Sequence, residues 1–161
     1  MSFKKAQASQ LQKKVFELYR IGEQESPLYF EEYCRLSKEI FDLSEDLFSY
    51  RGSTSEEEAL LCVALLMGYT ITVYNYGDKE EKKQEILRRA LELWENLPDG
   101  LLKCQLPTYC YGEVFEAELA REAWRIIRSW KGRELSEEEK WIRETLEHME
   151  SHPYPAAYIE N

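Results

Sequence analysis

Apolar residues recur at helical spacing along nearly the whole chain, and no stretch sustains the alternation expected of a strand. The pattern turns on one segment, Ala59 to Gly77, which holds no Asp, Glu, Lys or Arg. A helix that is apolar all round has no face for solvent, so it belongs inside a bundle or a membrane. Thr70, Thr72, Asn75 and three tyrosines dilute its second half, and no second such segment exists. These features favour a buried central helix over residues 55–76 rather than a membrane span. Thr54 and Ser55, each followed three residues later by Glu, give that helix a capping-box start.

Amphipathic segments flank it on both sides. Leu11, Val15 and Leu18 predict a first helix from Ala6 to Ile21. Ser26-Pro27 reads as the start of the next, with serine as cap and proline in the first turn. Its Tyr29, Tyr33, Leu36, Ile40, Leu43, Leu47 and Tyr50 form a seam at alternating steps of four and three, as in helices packed lengthwise. Gly77-Asp78 should close the central helix and cap a fourth, whose inward face is Ile86, Leu87, Ala90, Leu91, Trp94 and Leu97. Pro98-Asp99-Gly100 then turns the chain into an antiparallel neighbour.

Pro107 disrupts any straight helix beyond, so residues 101–111 read as a short or kinked helix ending at Gly112. Leu119, Ala123, Ile126, Ile127 and Trp130 mark a sixth helix that Gly132 stops. Ser136 with Glu139 opens a last one carrying Ile142, Leu146 and Met149. Pro153 and Pro155 predict an extended tail over 152–161. The expected fold is all-α: a single domain over residues 1–161, an antiparallel bundle or array of about seven helices around helix 55–76.

Tyr74-Asn75-Tyr76-Gly77 and Tyr109-Cys110-Tyr111-Gly112 lie 35 residues apart, with Trp94 and Trp130 at nearly the same offset. That is close to the tetratricopeptide period, so tetratricopeptide-like hairpins stay open as an alternative, although Ala90 is one place out of register.

Charge narrows the function classes. A net charge of −10 argues against a general nucleic-acid binder, because phosphate attraction dominates that affinity. It favours a basic protein partner. Lys4, Lys5, Lys13, Lys14 and Arg20 against Glu17 give the N-terminal segment, residues 4–21, a charge of +4, so the remainder carries −14. That basic helix is read as a solvated face attracted to the acidic body. Cys34, Cys62, Cys104 and Cys110 show no CxxC spacing, which suits free thiols in a reducing compartment. The N-terminal residues lack the apolar core of a secretory signal, and a cytoplasmic protein is expected.

Catalytic chemistry finds little support. His148 and His152 are the only histidines, too few for a metal site. No phosphate loop, nucleophile elbow or zinc-helix motif occurs. Neither enzyme activity nor a cofactor is expected. Tyrosine can bury a large area at small entropic loss, which suits protein contacts. The rings at helix ends and in the tail, Tyr74, Tyr76, Tyr109, Tyr111, Tyr154 and Tyr158, are therefore candidates for binding; equally, they could roof the core.

Three stretches, ALLMGYTITVYNYGDKEEK, LPTYCYGEVFEAELAREA and the closing HPYP, resemble the UpxZ family of Bacteroides. The resemblance runs from about Leu11 to Tyr154. It implies a regulator without catalytic machinery, one that antagonises NusG-like, UpxY-type transcription antitermination factors encoded by other capsular polysaccharide loci. A tetratricopeptide-like adaptor for peptides or proteins is the alternative. No membrane or direct nucleic-acid contact is expected, and the seam of the second helix leaves a homodimer open.

Overall fold

The computed structural model describes residues 5–22, 30–72 and 74–151, and among these it contains helices and no strand. In chain order they are α1 (Lys5–Gly22), α2 (Phe30–Phe48), α3 (Ser55–Ile71) and α4 (Lys79–Leu91). A 3-10 turn (Trp94–Asn96) follows, then α5 (Leu101–Val114), α6 (Ala117–Ser129) and α7 (Glu137–Ser151). The all-α class and the seven helices are those the pattern predicts. The chain divides into two compact units, Met1–Leu93 and Trp94–Asn161. The Ser26-Pro27 start and the 152–161 tail lie outside the described residues. No described helix is long and apolar enough to cross a membrane.

In the first unit α1, α2 and α4 all pack on α3. Every residue from Leu61 to Tyr69 is buried, as a helix without a polar face requires. Ala8, Leu11, Val15 and Leu18 of α1 are buried, as are Leu36, Ile40, Phe41 and Leu47 of α2. Burying each large side chain contributes roughly 1.5–3 kcal/mol. Two serines on α2, Ser37 and Ser44, are buried as well. Their small size lets α2 approach α3 closely. A Cβ on Gly68 would lie 2.3 Å from Ser44 Oγ and 3.2 Å from Leu11 Cδ1. Three helices therefore meet where α3 has no side chain, which accounts for a glycine inside a helical pattern.

α3 starts as its capping box predicts. Thr54 Oγ1 accepts the Glu57 N–H at 3.1 Å, and the Glu57 carboxylate accepts the Ser53 N–H at 2.8 Å. Its end differs: the helix stops at Ile71 instead of reaching residue 76. Thr72 is extended, at φ −79° and ψ 144°. Its hydroxyl donates to the Ser37 carbonyl at 3.2 Å and lies 3.1 Å from Ser37 Oγ. A threonine hydroxyl engaged by a neighbouring helix competes with helix continuation.

The start of α3 is also tied to α4 and to the end of α2. Arg89 donates from Nε and Nη2 to the Glu58 carboxylate at 2.8 and 3.0 Å, and to the Tyr50 and Phe48 carbonyls at 3.0 and 3.3 Å. Burial alone would raise the pKa of Glu58, but Arg89 and the Gly52 N–H together outweigh it and hold the carboxyl below its ordinary value.

In the second unit α5 takes the central place, packed on α6, α7 and the 3-10 turn. It corrects where the short or kinked helix was expected to end, because it runs through Pro107 and past Gly112 to Val114. Proline removes one helical hydrogen bond. Burial of Cys104, Leu106, Cys110 and Tyr111 offsets that loss. The stop comes instead from Phe115, left-handed at φ 56°, whose N–H reaches the Tyr111 carbonyl at 2.9 Å. α7 opens with the predicted reciprocal cap: Glu139 N–H to Ser136 Oγ at 3.1 Å, and Ser136 N–H to Glu139 Oε1 at 2.9 Å.

The 35-residue spacing is not a structural period. Tyr74 to Gly77 lie outside any helix, whereas Tyr109 to Gly112 lie within α5.

Candidate protein interface

Where α3 ends, the chain must still reach α4, and Asn75 shapes the crossing. Its Oδ1 accepts the Gly77 N–H at 2.7 Å and the Lys79 N–H at 3.2 Å, so the asparagine closes the turn and caps α4. The predicted cap, Asp78, makes no capping hydrogen bond. Its carboxylate instead lies 3.4 Å from Lys82 Nζ. Lys79 Nζ donates to the Thr72 carbonyl at 2.6 Å, satisfying one of the last acceptors of α3.

This turn lays two tyrosines across the outer side of α2. The Tyr76 ring stands edge-on to Phe41 with centroids 4.9 Å apart, and Tyr74 lies 6.1 Å from the same ring. Phe41 is itself buried and meets Tyr69 edge-on at 6.4 Å. Lys38 Nζ sits 5.5–5.6 Å from the centroids of Phe41, Tyr74 and Tyr76. It also donates to Asp42 at 2.8 Å and to the Tyr76 hydroxyl at 3.2 Å. The hydrogen bond to Asp42, then that to Tyr76, raises the lysine pKa. Tyr76 nevertheless remains 71% exposed. The result is an ordered aromatic surface around one cation.

A second layer supports it. The Tyr69 hydroxyl donates to Glu45 Oε2 at 2.8 Å, and Lys82 pairs with the same carboxylate. Burial first, and Glu45 second, push the Tyr69 hydroxyl pKa upward. Sequence pattern pointed to Tyr74 and Tyr76 but missed Lys38 and Phe41. The available signal was Phe41 beside the seam residue Ile40, one turn from Lys38.

The other candidate rings are placed differently. The Tyr109 hydroxyl accepts the Trp141 Nε1–H at 3.2 Å, and burial pushes its pKa up to about 12. Tyr111 is 8% exposed, its ring edge-on to Phe115 at 5.9 Å. Both are built into the second unit, Tyr109 half-buried and Tyr111 nearly buried. Tyr154 and Tyr158 lie outside the described residues.

Burial pushes the thiols of Cys62 and Cys104 up to about 12, so both stay protonated at neutral pH. Among the described residues no group of three or more His, Cys, Asp or Glu is placed to hold a metal ion.

Fold and candidate site define an all-α protein with an exposed aromatic and lysine cluster. The chain belongs to the UpxZ family of transcription anti-terminator antagonists, whose model matches residues 8–112. It is therefore a member of a regulatory family, not of a known enzyme family. It is 44% identical to a transcription anti-terminator antagonist UpxZ from Bacteroides uniformis, whose crystal structure was determined at 1.68 Å. That similarity covers 90% of this chain and 95% of the other, with a TM-score of 0.74. No curated protein matches the chain.

Proposed function

We propose that this chain antagonises a NusG-like, UpxY-type antitermination factor by binding it directly, with Lys38, Phe41, Tyr74 and Tyr76 at the centre of the contact. The observation that carries the reading is Tyr76, held in one place by Phe41, Lys38 and the Asn75 turn and yet 71% exposed. Tyrosine is among the residues that dominate binding energy, and a ring ordered before encounter loses little entropy on docking.

Electrostatics supports a basic partner. Beyond the first helical segment the chain carries −14, the sign that nucleic acid itself presents. A factor that works beside nucleic acid would be steered toward such a surface and away from polymerase. On this reading the chain acts in the cytoplasm, on protein and without direct nucleic-acid contact.

The test is co-purification of the chain with a panel of UpxY-type factors, followed by binding measurements on Tyr76→Ala and Lys38→Ala. At least one factor should co-purify, and Tyr76→Ala should weaken its binding about tenfold or more while leaving the melting temperature unchanged. Association should slow as salt is raised. Wild-type affinity in Tyr76→Ala would move the contact elsewhere, and failure of every factor to co-purify would end the proposal.

A further inference from the structure

We propose that α6 and α7 form a second docking groove, whose occupant is an acidic, extended segment of another protein carrying an aromatic or aliphatic side chain between two carboxylates. The groove has a volume of about 600 Å³ and lies wholly within the second unit. That size falls in the range of sites that hold small ligands or a few side chains. It lies beyond residues 8–112 matched by the family model, save for Tyr111.

Its main wall is one stripe of α6. Ala117, Ala120, Trp124 and Ile127 recur at steps of three and four, with Arg121 and Arg128 at the same spacing beside them. Ala120 and Ile127 are buried together with Leu119, Ala123 and Ile126. The groove therefore runs along the margin of that buried face, where Ala117 is exposed and Trp124 is half-buried. Glu150 of α7 stands opposite and accepts the Trp124 Nε1–H, which fixes the indole across the gap. Tyr111 of α5 also lines the groove.

The two arginines choose the ligand. Arg125, between them in sequence, pairs with Asp99 at 2.8 and 3.0 Å and with Glu122. Arg133 pairs with Glu139, and Arg143 lies 3.8 Å from Glu147. Arg121 and Arg128 are exposed and have no ion pair among the described residues. The chain has 31 acidic residues against 21 Lys and Arg, so guanidinium groups without a carboxylate partner are the exception. Glu150, the one acid lining the groove, is engaged by Trp124. Guanidinium forks bind carboxylates in bidentate fashion, and aromatic or aliphatic groups suit the wall between them.

Spacing refines this further. Seven helical residues separate the arginines by roughly 10 Å along the axis. In a polyproline-type segment, residues three apart point the same way and are about 9 Å apart. Two acids three positions apart, with the apolar residue between them, match the site.

The probe is the blocked hexapeptide GEPFEG, with GQPFQG and GEPGEG as controls, titrated into the full chain while the Trp124 indole N–H is followed by NMR. The Trp124→Phe spectrum assigns that signal. The indole signal should move with GEPFEG, giving a Kd below about 1 mM, and each control should bind several-fold more weakly. Arg121→Glu with Arg128→Glu should weaken binding about tenfold or more, whereas Arg125→Ala and Tyr76→Ala should stay within about twofold of wild type. Circular dichroism and melting curves confirm that the variants fold. No response at about 5 mM peptide, or equal binding by the double variant, overturns the proposal. So does light scattering in which the double variant abolishes self-association of the wild-type chain, since the groove would then hold a second copy. Because Tyr76 lies in the other unit, failure here is separable from failure of the UpxY-type reading.

Discussion

Tyr74 to Gly77 and Tyr109 to Gly112 are spelled almost alike, and the chain puts them to opposite uses. A threonine precedes each, Thr72 two positions before Tyr74 and Thr108 immediately before Tyr109. The Thr72 hydroxyl is engaged by Ser37 on another helix, and α3 ends beside it. The Thr108 hydroxyl donates to the Cys104 carbonyl of its own helix at 2.7 Å, and α5 continues. The residue between the tyrosines then completes the divergence. Asn75 offers an oxygen that two backbone N–H groups find, while Cys110 offers no comparable acceptor and is buried as a small apolar group. One tyrosine pair therefore lies over Phe41 beside solvent, and the other sits inside the second unit. A four-residue pattern does not decide its own structure; the acceptors within its reach do.

Truncating the inner ring should have the largest effect. Tyr111→Ala removes a nearly buried aromatic and should lower unfolding free energy by about 3 kcal/mol, read from urea denaturation. Tyr76→Ala in the same assay should stay within about 0.5 kcal/mol of wild type. Equal losses would erase the distinction between the two motifs.

Tyr109→Phe comes next, at about 1 kcal/mol near neutral pH, because it strips the Trp141 N–H of its acceptor. Its pH dependence is more diagnostic. Burial favours the neutral phenol, so the folded group holds its proton to about 12 while an unfolded tyrosine ionises near 10. The stability this supplies is intact below pH 10 and is lost as pH rises toward 12. Tyr109→Phe should flatten that alkaline decline, and a residual slope of the same sign should persist from Tyr69, whose pKa is also raised. An unchanged slope would show the Tyr109 hydroxyl to be solvated.

Asn75→Ala should lower stability by about 0.5–1 kcal/mol, the usual effect of removing a helix cap. Faster hydrogen exchange at the Gly77 and Lys79 amides would locate the loss. It should also loosen Tyr76 and weaken partner binding without touching the ring itself.

Much of this fold was legible because its causes are local. The α1 stripe, the Thr54 and Ser136 caps and the unbroken apolar run of α3 each declare themselves within a few residues. What stayed hidden depends on partners far along the chain. α3 stops at Ile71 beside Ser37, 35 positions before Thr72, and α5 continues past Gly112 while packed against α7. The same holds for the surface. Tyr74 and Tyr76 could be named from sequence, but Lys38 joins them from a different helix, and Tyr109 is taken inward by Trp141, 32 positions away.

The smallest predicted effect separates two glycines that look alike in sequence. Gly77 has φ +100° with nothing within 4 Å of its absent Cβ, so alanine there meets only backbone strain. Gly77→Ala should lower stability by about 1 kcal/mol. Gly112 lies inside α5, and its missing Cβ would sit 2.7 Å from Met149 Cε. Alanine at that position gains up to about 1 kcal/mol of helix propensity. It must also displace the end of a flexible methionine that is only half-buried, which offsets part of that gain. Gly112→Ala should therefore change stability by no more than a few tenths of a kcal/mol. Replacing Met149 by Ala beforehand should tip it to stabilising. If Gly112→Ala instead matched Gly77→Ala in both backgrounds, residue 112 would be a helix terminus after all, and the two motifs would be structural equivalents.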